Sequence, residues 1–134
     1  MSRFWREIPS RYNLMGSKCG NCGKILFPTR EICPDCHRKS YGKMEPYRID
    51  THGTVVTHTT VHTAQKGFDL MVPYIMAIVE MEGGIRLTSQ IVDCDVSDVD
   101  IGTKVKAVFR KIGEDGAEGS IHYGFKFVLA DRPY

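Results

Sequence analysis

The chain contains five cysteines, and four of them fall into two pairs, Cys19-Gly20-Asn21-Cys22 and Cys33-Pro34-Asp35-Cys36. Two residues between cysteines let one tight turn aim both sulfurs at one point. Two such pairs offer four thiolates, which is the tetrahedral donor set that Zn2+ prefers. Gly23, directly after the first pair, relieves crowding where backbone N–H groups approach the sulfurs. Four protein ligands leave no open coordination position, so the metal would hold structure and would not activate water. A redox dithiol and a pair of disulfides are the competing uses of such cysteines, and a chain without a secretory signal disfavours the second. Iron is the other metal that paired C-x-x-C turns hold, and it can enter the site on heterologous expression. The gap of ten residues between Cys22 and Cys33 favours a zinc ribbon. His37 follows Cys36 and reads as a surface residue, since Cys19, Cys22, Cys33 and Cys36 suffice.

Other chemistry-bearing residues form no comparable set. His52, His58 and His62 share one face of a strand by period two. His58 and His62 would lie about 13 Å apart along that strand, too far to chelate one ion together. Cys94 stands between Asp93 and Asp95, whose charge raises a thiol pKa, so it reads as a small packed side chain at a strand end. Asp93, Asp95, Asp98 and Asp100 lack the central glycine and terminal glutamate of a calcium loop. The glycine-rich stretch from Gly113 to Gly119 carries Glu114, Asp115 and Glu118, which would repel phosphate, so it reads as a hairpin loop. Neither a G-x-S-x-G elbow nor a phosphate-binding glycine loop is present. No catalytic residue is assigned.

These residues need elements to position them. Residues 3–15 read as a short amphipathic helix broken near Pro9, with Phe4, Ile8 and Tyr12 at spacing four and Trp5 beside Phe4. Such a stripe supplies aromatic anchors for a partner surface; packing on the chain's own barrel is the competing use. Residues 16–42 are rich in Gly, Cys and Pro with no sustained periodicity, as suits a metal-held knuckle. Five β-rich segments follow: 54–61, 74–81, 85–92, 104–109 and 121–128, with a turn at Gly83-Gly84 and a helical turn around Val96–Val99. In the third segment Ile85, Leu87, Ser89 and Ile91 alternate with Arg86, Thr88, Gln90 and Val92. Five short strands with a helical turn between the third and fourth match a Greek-key OB barrel. The expected fold is thus mainly β: an N-terminal helical segment at 1–16, a zinc ribbon at 17–46 and an OB-fold domain at 47–134.

Composition narrows the function classes. The 134 residues are 42% hydrophobic and 25% charged, as in a globular protein, and no apolar run approaches a bilayer span. The N-terminus has no apolar signal-like region, so a cytoplasmic location is expected. Residues 1–50 hold ten Lys/Arg against five Asp/Glu, and the remainder holds eight against eleven. The bias is too weak to argue for nucleic acid on charge, although ribbons and OB-folds often bind single strands; single-stranded nucleic acid is therefore the alternative ligand. An enzyme in its own right has only the unpaired histidines in its favour.

Several motifs resemble the DUF35 family: Phe4-Trp5-Arg6, Cys19-x-x-Cys22-Gly23, Phe27-Pro28-x-Arg30 and Cys33-Pro34-x-Cys36. In the second half the likeness continues with Gly53-Thr54-Val55, Pro73-Tyr74-x-x-Ala77-x-Val79, Ile101-Gly102-x-x-Val105 and Tyr123-Gly124-Phe125-Lys126-Phe127. Thr29 departs from it, where the family frequently has a second proline. The resemblance implies a rubredoxin-like zinc ribbon joined to an acyl-CoA-associated OB-fold. It further implies a non-catalytic subunit like the one that bridges acetoacetyl-CoA thiolase and HMG-CoA synthase in archaea and helps pass acetoacetyl-CoA into mevalonate synthesis. Under that implication Phe27, Pro28, Arg30, Tyr123 and Lys126 would contact CoA, and Phe4, Trp5, Ile8 and Tyr12 would meet a partner enzyme.

Overall fold

The computed structural model describes residues 2–132, which form two compact units. The first comprises residues up to Asp50 together with Glu82–Ile85; the second comprises Thr51–Met81 and the residues from Arg86 onward.

In the first unit, the expected broken helix takes the form of two short helices, α1 (Ser2–Arg6) and α2 (Ile8–Asn13). The break falls at Glu7, not at Pro9. Proline is tolerated in the first turn of a helix, where its missing N–H would have no partner, so Pro9 starts α2. Glu7 ties the two helices by accepting from Arg3 Nε at 3.0 Å and Arg11 Nε at 2.8 Å. Leu14 caps α2 in the left-handed conformation. Three strands follow that the sequence pattern did not show: β1 (Met15–Cys19), β2 (Ile25–Leu26) and β3 (Met44–Arg48). They form an antiparallel sheet with β1 in the centre.

The second unit is a closed five-stranded barrel of β4 (His52–Val61), β5 (Tyr74–Met81), β6 (Arg86–Ile91), β7 (Lys104–Glu114) and β8 (Ile121–Leu129), in the order β4-β5-β6-β8-β7. This is the OB-fold arrangement: β6 and β8 run parallel, the other neighbours antiparallel, and a 3-10 turn at Val96–Asp98 sits between the third and fourth barrel strands. The expected alternation fills the interior. Val55, Ile75, Ala77, Val79, Leu87, Ile91, Val105 and Phe127 are all buried. Gly53 stands where a Cβ would lie 2.5 Å from Val79 Cγ1 and 2.6 Å from Met81 Sδ, so any side chain there forces its neighbours to shift where β4 closes against β5.

A β-bulge in β4 between Val55 and Thr57 corrects the reading of the histidines. Before the bulge Val55 pairs with Val79; after it His58 pairs with Ala77, so the inward register moves from odd to even positions. His52 and His58 therefore face opposite sides of the sheet, and His62 lies beyond the end of the strand.

Candidate metal centre and site residues

The two cysteine pairs sit on two turns of matching geometry. In the first, Gly23 N donates to Cys19 O at 2.8 Å with Gly23 at φ 76°; in the second, His37 N donates to Cys33 O at 2.9 Å with His37 at φ 47°. Each turn needs a left-handed residue directly after its second cysteine. Glycine supplies it in one, and a strained but tolerated histidine in the other. Cys19 ends β1, and its N–H bonds Lys24 O at 2.9 Å. Cys33 is held from the other side, with its N–H donating to Ser40 Oγ at 2.9 Å while that hydroxyl donates to His37 O at 2.6 Å. Ser40 is fully buried for this purpose. Lys24 and Asp35 join the two turns across 2.7 Å.

The turns bring the Sγ atoms of Cys19, Cys22, Cys33 and Cys36 within 4.8 Å of one another. Cys22 and Cys33 Sγ are 3.7 Å apart. That separation is far from the ~2.05 Å of a disulfide. It agrees with the edge of a tetrahedron about 3.8 Å long, which follows from Zn–S bonds of ~2.3 Å. Without a cation these sulfurs do not ionise alike. The Cys22 backbone N–H leads in bringing Cys19 down to about 7. Cys22 is pushed up to about 12: the Lys24 backbone N–H favours its thiolate, but Cys36, burial, Cys19 and Cys33 together outweigh it. A cation that accepts four thiolates would remove this conflict, and Asn21 Nδ2, 3.1 Å from Cys36 Sγ, already supplies a donor to one of them.

The other residues singled out from the sequence are dispersed. Phe4, Ile8 and Tyr12 are half-buried, while Trp5 is 76% exposed. Arg11 lies over the Phe4 ring, 5.1 Å from its centroid. Arg30 opens on a cleft of about 570 Å³ in the first unit, lined also by Ser17, Tyr41 and Met44. Phe27 is half-buried and Pro28 exposed in the same unit. Tyr123 and Lys126 belong to the barrel, where strand alternation sends them to opposite faces of β8. Tyr123 stacks on Phe109 with ring centroids 5.0 Å apart, whereas Lys126 is only 6% exposed. Cys94 is half-buried and its thiol is pushed up by burial first, then by Asp98.

Two family profiles match the chain. Residues 6–42 fit the rubredoxin-like zinc ribbon domain of ChsH2, and residues 46–110 fit the ChsH2 C-terminal OB-fold domain. A curated relative from Methanothermobacter thermautotrophicus, described as a DUF35 domain-containing scaffold protein, is 50% identical over 125 residues, covering 93% of this chain and 92% of that one. The chain belongs to the DUF35 family. A second DUF35 domain-containing scaffold protein, from Methanocaldococcus jannaschii, is 51% identical over 93% of this chain and 87% of its own length. Among solved structures, an Ltp2-ChsH2(DUF35) aldolase superposes with a TM-score of 0.72 at 23% identity, over 96% of this DUF35 chain and 94% of that one, which shows a shared fold. Family membership and the sulfur geometry agree that the four cysteines are positioned for metal binding.

Proposed function

We propose that this DUF35 protein is a non-catalytic scaffold that binds acetoacetyl-CoA thiolase and HMG-CoA synthase in the cytoplasm and assists transfer of the acyl-CoA intermediate in mevalonate synthesis. The observation that carries the reading is Trp5. A tryptophan left 76% exposed on a short helix is a poor use of the largest apolar side chain unless another surface covers it. Tyr41, in the same unit, is 75% exposed, and the barrel presents Leu70, Ile101, Phe109 and Ile121 to solvent. Each unit thus carries its own apolar surface, as a bridging subunit needs. The scaffold description of the two relatives, matched over nearly their full length, supports the same role.

In this reading zinc occupies the four-cysteine site, held by Cys19, Cys22, Cys33 and Cys36, and its contribution is to fold the ribbon. Phe4, Trp5, Ile8 and Tyr12 form the partner-binding stripe. Contact with CoA is assigned to Phe27, Pro28 and Arg30 on the ribbon, where Arg30 is suited to phosphate, and to Tyr123 and Lys126 on the barrel. Direct transfer helps because the Claisen condensation of two acetyl-CoA to acetoacetyl-CoA and free CoA is uphill and is drawn forward when the product is consumed.

The test is size-exclusion chromatography of the protein with purified thiolase and HMG-CoA synthase from the same organism. The wild type should elute with both enzymes. Trp5→Ala should weaken one of the two contacts by tenfold or more, the loss of a hot-spot aromatic costing about 2 kcal/mol or more. Equal complex formation by Trp5→Ala would remove Trp5 as the anchor. Failure of the wild type to bind either enzyme, with saturable binding of a single-stranded oligonucleotide instead, would replace the scaffold reading by the nucleic-acid alternative.

A further inference from the structure

The barrel carries a polar site around Lys126, which the scaffold reading uses for CoA contact, and Gln90, which it does not use. Ile91 on β6 is aligned with Phe127 on β8, and both point into the barrel core. The residues one step earlier, Gln90 and Lys126, are therefore neighbours on the other face of the same two strands. That face should be solvated. Instead Gln90 is 8% exposed and Lys126 6% exposed. They line cavities together with residues of the connection between β4 and β5, whose Phe68 packs on Tyr74 with centroids 5.6 Å apart, and of the turn that carries Cys94 and Val96.

Neither polar group is satisfied. Among the described residues, Gln90 Oε1 is buried without a hydrogen-bond donor, and the Lys126 ammonium makes no hydrogen bond or ion pair. A buried amide oxygen without a partner is destabilising, and the Lys126 Nζ, which is not among the fully buried atoms, opens on the adjoining cavity. Asp93, which lines the same cavity, already holds Arg110 at 2.8 Å, and Glu114 holds Lys111 at 2.5 Å. Burial first, and then the like charge of Arg110, lower the Lys126 pKa, with Asp93 opposing them.

Both groups face open space. A cavity of about 430 Å³ is lined by Gln90, Lys126, Arg110, Asp93, Met71 and Tyr74 among others. A second space of about 200 Å³, lined by Phe68, Met76 and Phe125, shares Gln90, Lys126 and Tyr74 with the first. One unmatched positive charge calls for one negative charge. A carboxylate supplies that, and the Gln90 amide can turn its NH2 toward the second oxygen by rotation about its last torsion. The apolar walls call for a hydrocarbon body behind the carboxylate.

We propose that this outer face of the barrel is a binding site for a short-chain organic monocarboxylate, with its charged end on Lys126 and Gln90 and its chain against Met71 and Tyr74. The site is formed by the barrel alone and does not depend on the scaffold reading.

The test is NMR titration of the full-length, isotopically labelled protein with sodium butyrate, with sodium chloride at matched ionic strength, 1-butanol and inorganic phosphate as comparisons. Butyrate should give saturable shifts in the amides of Gln90, Val92 and Lys126 and move the Lys126 Cε resonance. Butanol and phosphate should bind at least tenfold more weakly. Lys126→Met should lose at least tenfold in butyrate affinity while its spectrum stays dispersed. Lys43→Met, at an exposed lysine of the first unit, should bind butyrate like the wild type. Should Lys126→Met fail to fold, Gln90→Leu replaces it, with a severalfold loss expected. Shifts no larger than with sodium chloride, equal binding of butanol, equal or tighter binding of phosphate, or undiminished binding by the lysine variant would each overturn the assignment.

Discussion

At the residue scale, the metal site depends on four sulfurs and on two backbone positions that the sulfurs do not reveal. His37 occupies a left-handed position, φ 47°, where the matching turn has Gly23. Relief of that strain is partly offset by the extra freedom glycine gives the unfolded chain. His37→Gly should therefore stabilise the ribbon by about 0.5–1 kcal/mol. Chelator competition would show it as slower metal loss, and faster loss would contradict it. Removing a ligand has a far larger effect, because in so small a unit metal binding is folding free energy of roughly 10 kcal/mol or more. Cys33→Ser should leave residues up to Asp50 protease-sensitive and without stoichiometric zinc. A variant that melts like the wild type with no metal bound would disprove a structural role. The cysteines were legible in the sequence because two C-x-x-C pairs encode their geometry within a few residues. Lys126 and Gln90 were not. Alternation correctly put Gln90 on the polar face of β6, but the residues that line its cavity come from a connection far away in the chain, which period two cannot register. Lys126 was singled out only as a CoA contact implied by the resemblance, and its burial was hidden for the same reason.

At the scale of elements, the barrel strands showed themselves through β-branched residues and alternation. Tyr74–Met81 falls where the pattern put it, and β7 runs on to Glu114 because its long hairpin with β8 keeps pairing beyond the apolar segment. The ribbon strands were hidden. β1 is Met-Gly-Ser-Lys-Cys and β2 only Ile-Leu; β1 is extended because it pairs with β2 and β3, and β2 because it pairs with β1, not because of their own propensity. The bulge after Val55 was hidden as well, since nothing local marks it, and it is what separates His52 from His58. Closure of the barrel has a specific requirement at Gly53, where β4 passes tightly over Val79 and Met81. Gly53→Ala should destabilise the barrel by about 1–3 kcal/mol, the range of core overpacking. Thermal unfolding would reveal it, and an unchanged midpoint would show that β4 can move aside.

At the scale of the whole molecule, two units with separate cores each carry apolar side chains on their surface, and no helix among the described residues is long and apolar enough to cross a membrane. The motifs pointed to the family, and the family profiles and near full-length relatives establish it. Trp5, 76% exposed, is the residue through which the proposed partner contact is tested. The most direct measurement is native mass spectrometry of the protein purified gently from its own cells. The scaffold account predicts one defined assembly containing this chain with one zinc ion, acetoacetyl-CoA thiolase and HMG-CoA synthase. A free chain, or one that carries nucleic acid in place of the two enzymes, would contradict it.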